Sequence, residues 1–194
     1  MRLTPRSGAL WLPLALAACS DGVVPTESPE ARLLPGRGVQ AIASGTYQYS
    51  QPLPPSLGGG AAIIDVTMTT NFDADGSASG SFRHFGMIQG LAVDFSGVVT
   101  CAEVDLGLGR VWIGGVITAN NSEHPFVTGP INAVGKDIWF RAADRGNGDS
   151  GEADRSTFVG FEGGQDIDTS QEYCDLAIWP NDANPVVSGN LMVK

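Results

Sequence analysis

The sequence predicts an all-β protein: a single antiparallel domain of eight or nine strands, a small up-and-down β-barrel, with a two-sheet β-sandwich as the alternative. Three observations carry that prediction. From Ala62 to Phe72 apolar and polar residues alternate, the period of a strand with one buried face. Most links between apolar runs are of hairpin length and carry Gly, Asp or Asn, so neighbours in sequence should be antiparallel neighbours in space. No segment has sustained helical periodicity, and 26 glycines beside many β-branched residues leave no seed for a long helix. The barrel is preferred because closure removes edges and Gly114-Gly115 can bend a strand at a corner.

The elements follow in order. Val39 to Ser50 is the first strand, and Gln51 to Gly60, dense in Pro and Gly, is a loop. The second strand puts Ala62, Ile64, Val66, Met68, Thr70 and Phe72 on one face. Asp73-Ala74-Asp75-Gly76 turns the chain, and Ser77 to Phe85 returns with Phe82 inward beside Ala78 and Gly80. Gln89 to Cys101 follows with broken parity: Phe95, Val99 and Cys101 share a face that Val98 and Val104 interrupt, which predicts a bulge near Gly97. Leu106 to Gly109 reverses direction into a strand carrying Val111, Ile113, Gly115, Ile117 and Ala119. Asn121 to Pro125 reads as a polar loop with His124 in solvent. Lys136–Ala142 and Arg155–Phe161 are two further strands, Asp166–Asn184 is irregular, and Val186–Val193 closes the sheet.

Ahead of this domain, Arg2 and Arg6 precede an apolar run, Ala9 to Ala18, too short to span a bilayer as a helix. It ends in Leu16-Ala17-Ala18-Cys19, which closely resembles the lipobox of bacterial lipoproteins. The resemblance implies a signal peptide over 1–18, lipidation of Cys19 and membrane attachment through that lipid. Ser20, where an Asp would favour inner-membrane retention, implies an outer-membrane address in the cell envelope. Residues 19–38, rich in Pro, Gly and charge, form a flexible tether, and residues 39–194 form the all-β domain.

Charge and cysteines narrow the function. Eleven basic residues against 21 acidic ones give a net charge of −10, which disfavours nucleic acid as a partner. With Cys19 assigned to lipid, Cys101 and Cys174 remain, and an exported chain should pair them as a disulfide. A second resemblance covers Phe72 to Lys194: Asp75-Gly76-Ser77 with Gly80 and Phe82, Gly97 to Cys101, Gly114 to Thr118 and Ser188-Gly189-Asn190 look like a domain of uncharacterised secreted bacterial β-proteins. It implies a single disulfide-bearing fold and no assigned activity. The loop Val104 to Arg110 departs from the shorter turn of that pattern.

Candidate chemistry is sparse. Gly148-Asp149-Ser150-Gly151 matches the nucleophile segment of trypsin-like proteases, but Glu152 and Ala153 stand where that family has Gly and Pro, and a hairpin loop explains the composition. Asp144, Asn147, Asp149, Glu152 and Asp154 gather five oxygen-bearing side chains in one loop, a candidate calcium site whose spacing fits no EF-hand. His84 and His124 are too few for a typical zinc site; His84 should sit packed or half-exposed on a strand. Trp112 and Trp139 lie opposite the core parity of their strands, as does Phe158 if Val159 points inward. They form either an exposed platform or, preferably, a second apolar layer. The sequence therefore reads as a lipid-anchored envelope protein with a non-catalytic binding or structural role. The rival is a barrel carrier of a small apolar ligand, and a hydrolase is the remote alternative.

Overall fold

The computed structural model describes residues 39–55, 59–146, 152–160, 166–180 and 183–194. Among these, eight strands run in sequence order around a closed antiparallel barrel: β1 (Val39–Pro52), β2 (Ala61–Asp73), β3 (Ala78–Ile88), β4 (Leu91–Asp105), β5 (Arg110–Asn120), β6 (Asp137–Ala143), β7 (Arg155–Ser156) and β8 (Asn184–Val193). β8 pairs back onto β1 between Ala43 and Tyr49, so the fold is the expected up-and-down barrel and the sandwich is set aside. The expected leader and tether, residues 1–38, lie outside the described residues.

From β1 to β5 the backbone ladder does the work. In β2 the inward residues Ala62, Ile64, Val66, Met68 and Thr70 are buried, and every residue from Ile63 to Phe72 has a partner on β3. The β2–β3 turn is fixed by Asp75, whose Oδ1 accepts from the Ser77 backbone N–H at 2.9 Å and hydroxyl at 2.6 Å. These bonds hold its carboxyl below the usual carboxylate range. Gln89 and Gly90 both take positive φ, 53° and 81°, as a two-residue mirror-image turn between right-twisted strands requires. The expected irregularity near Gly97 is present: β4 slips against β5 between Ser96 and Gly97 and again between Val99 and Cys101.

Close approach explains the glycines there. The Phe82 ring lies against Gly97 and Gly115, where an added Cβ would strike the ring and the carbonyl oxygens of Val116 and Val98 respectively. At Gly114 a Cβ would strike Cys101 Sγ and Ser170 on the outer side. The Gly114-Gly115 pair thus admits an inner ring on one face and an outer helix on the other.

The other side of the barrel departs from expectation. The segment read as irregular contains a two-turn helix, α2 (Ser170–Leu176), packed on the outside of β4, β5 and β6. It starts at Thr169, whose Oγ1 accepts from Glu172 N at 3.1 Å, while Glu172 Oε2 accepts from Asp168 N at 3.1 Å. These reciprocal bonds occupy donors that a helix start leaves open. The expected Cys101–Cys174 disulfide ties β4 to this helix. Trp112 and Trp139 do point outward, but α2 and the chain after it cover them. Trp112 Nε1 donates to Ile178 O at 2.7 Å and its ring meets Trp179 edge-on at 5.6 Å; Trp139 stacks on Tyr173 at 6.0 Å. They belong to a second apolar layer.

The strand expected over Arg155–Phe161 contracts to the two residues of β7. Phe158 and Val159 are both buried, and beyond Ser156 the chain follows β6 through separate bonds from Thr157 N to Arg141 O and Gly160 N to Trp139 O. β7 meets β8 only at Asn184 and Pro185. Further along β8, side chains replace the missing strand: Leu191 N donates to Asp154 Oδ2 at 3.2 Å and Val193 N to Asp144 Oδ2 at 3.0 Å.

Candidate functional site

The middle of the barrel is filled. Phe82, Phe95 and Phe140 are buried there around His84, which is itself fully buried. Its ring stacks on Phe95 at 5.1 Å, meets Phe140 edge-on at 4.9 Å, and lies 6.1 Å from Phe158. Neither ring nitrogen has a hydrogen-bond partner among the described residues. Burial without an acceptor for the charged form lowers its pKa from 6.5 to about 3, so this histidine packs as a neutral ring.

Above this plug, at the end where β1 and β3 finish, the barrel opens into a cavity of about 700 Å³. Leu53, Ala62, Ile64, Ile88, Phe126 and Phe158 contribute to its lining. Its edges are built by short-range geometry. β1 ends at Pro52, and Leu53 N donates to Gly60 O at 2.9 Å, fastening the two ends of the link to β2 together. On the opposite side stands a one-turn helix, α1 (Pro125–Thr128). His124, expected in solvent, is only 4% exposed, because its Nδ1 accepts from Phe126 N at 3.2 Å and caps α1. Asn120 Nδ2 donates to Val127 O and Asn132 O and fastens the same loop to the end of β5. Phe126 is thereby held over Phe158, with ring centroids 6.5 Å apart.

The one amide side chain lining the cavity is already engaged. Gln51 Oε1 accepts from Asn184 Nδ2 at 2.8 Å, and its Nε2 donates to Pro52 O at 3.1 Å. On the outer wall near the same end, Ile63 and Met87 are exposed cross-strand partners, with Phe85 beside them. An apolar cavity of this volume with an apolar rim can hold a small ligand by burial of its surface, and among the described residues no Ser, Cys or Thr lines it.

No family model, no curated protein and no solved structure matches this chain. What the site can do is therefore read from its own residues.

The five-residue calcium candidate divides. Asn147 and Asp149 lie outside the described residues, as does the Gly148–Gly151 motif. Asp144, Glu152 and Asp154 are described. Asp144 Oδ1 accepts from Gly146 N at 2.8 Å and Asp154 Oδ1 from Arg145 N at 2.8 Å, while the second oxygen of each caps β8 as above. Glu152 lies 3.8 Å from Arg145. The two aspartates thus act as backbone acceptors at the barrel seam, and among the described residues no group of three or more His, Cys, Asp or Glu comes together. The sequence offers a ligand-holding barrel as the rival reading but does not locate the cavity, because its lining comes from strand ends and loops far apart in the chain. Leu53 and Phe126, apolar residues inside polar or Pro-rich connections, were the available signal.

Proposed function

We propose that this protein is a lipid-anchored binding protein of the cell envelope, a non-catalytic carrier whose barrel takes a small apolar ligand at one end. The cavity above His84 carries the reading. It combines a volume within the range of small-molecule sites, roughly 300–1,000 Å³, with a lining dominated by aliphatic and aromatic side chains. The filled interior beneath it supports a ligand seated at the mouth. The lipobox Leu16–Cys19 supports the anchor and the outer-membrane address, and the net charge of −10 supports the absence of a nucleic-acid partner.

Native mass spectrometry of the full chain carrying Cys19→Ser, isolated from an oxidising compartment, tests the binding reading. The expected result is an adduct that organic extraction removes, together with uptake of Nile red by the extracted protein. A bare chain that also fails to take up Nile red overturns it. Metabolic labelling with palmitate tests the anchor: label on the wild type and none on Cys19→Ser is expected, and an unlabelled wild type refutes it.

A further inference from the structure

We infer that the mouth cavity selects an uncharged apolar ligand and discriminates against anionic amphiphiles of the same chain length. This rests on the binding function proposed above and names the chemical class of its ligand. An anionic head group at an apolar cavity needs a cation or free donors at the rim, because a carboxylate stripped of water without a partner is costly. Among the described residues no Lys, Arg or His lines this cavity. The only amide among the described lining residues, Gln51, already donates to Pro52 O and accepts from Asn184.

None of the described arginines is in the lining, and each has a partner of its own. Arg83 pairs with Asp94 at 2.9 Å on the outer wall. Arg110 and Arg141 lie over the Trp179 ring at 4.9 and 5.7 Å, on the face that α2 covers. Arg155 donates to Ala183 O at 3.0 Å, and Arg145 faces Glu152. The segments adjoining the lining in sequence, 56–58 and 161–165, contain no Lys or Arg. His84, on the far side of Phe158, stays neutral in its phenylalanine cage and supplies no charge. The acidic chain adds a general repulsion of anions.

The test is displacement of bound Nile red from the full chain carrying Cys19→Ser at pH 8, by 1-decanol and by decanoate. Decanol is expected to displace the dye at a concentration lower by on the order of tenfold or more, and added salt should narrow the gap by screening its long-range part. Val159→Trp, which fills the cavity, should weaken both. Decanoate displacing the dye as well as decanol, or better, overturns the inference and leaves the binding function standing. Failure of the protein to bind Nile red or either amphiphile overturns both.

Discussion

The two sides of this barrel are held together differently. From β1 to β5 the strands are 11 to 15 residues long and paired along most of their length. From β6 to β8 the sheet narrows to a two-residue strand, and Asp144 and Asp154 accept from β8 amides that the backbone ladder leaves open. α2 and its disulfide instead cover the outside of β4 to β6. A closed barrel thus does not need a full ladder all the way round, because a seam can be closed by carboxylates accepting from strand amides.

Five measurements probe that contrast. The largest effect is expected in the outer layer from Cys101→Ala with Cys174→Ala: with the cysteines 73 positions apart in sequence, urea unfolding should show a loss of about 4 kcal/mol. An effect under about 1 kcal/mol would mean that α2 holds without its crosslink. The long-stranded wall has its own weakness in acid. His84 takes up a proton near pH 6.5 when unfolded but only near pH 3 when folded, so between those values the unfolded chain binds more protons and stability falls as pH falls. Its share is fully present above pH 6.5, and about 3 kcal/mol of it should be lost by pH 4. His84→Leu should flatten the stability profile across this window, and an unchanged slope would refute the assignment.

Gly115→Ala should cost about 2–3 kcal/mol, since the methyl group meets the Phe82 ring and the Val98 carbonyl; a neutral outcome would show that the wall can shift there. Asp154→Ala leaves the amides of Arg145 and Leu191 without their acceptors and should cost about 2 kcal/mol. The smallest effect is expected from Asp94→Ala. It breaks the Arg83 pair on the outside of the long-stranded wall and should change stability by less than about 1 kcal/mol. If Asp94→Ala proved as costly as Asp154→Ala, the distinction between ladder-held and side-chain-held regions would collapse.

The same contrast governs how much could be read in advance. β2 was legible because each of its residues has a cross-strand partner and one face is wholly inside, so burial maps directly onto a two-residue period. The slip near Gly97 was legible because it breaks that period. α2 was not: seven residues are too few to establish helical periodicity, although the Thr169 to Glu172 spacing is a helix-start signature. β7 was overextended because Phe158 and Val159 look like strand residues yet are buried together by different neighbours. The mouth cavity depends on loop ends meeting in space, and His124 caps α1 through a backbone N–H, that of Phe126, which any residue but proline would offer and which therefore leaves no mark in the sequence.

Gly114 and Gly115 have a mechanical consequence. Between the Phe82 ring inside and Ser170 outside, the barrel is one backbone thick, with no side chain to cushion either contact. A group added at either glycine would therefore strike the aromatic plug from one side or the helix from the other across a single peptide layer. From Phe82 the plug continues through Phe140 and His84 to Phe158 and then to Phe126 at the mouth. The buried Cys101–Cys174 disulfide and the floor of the cavity thus lie at opposite ends of one unbroken chain of contacts.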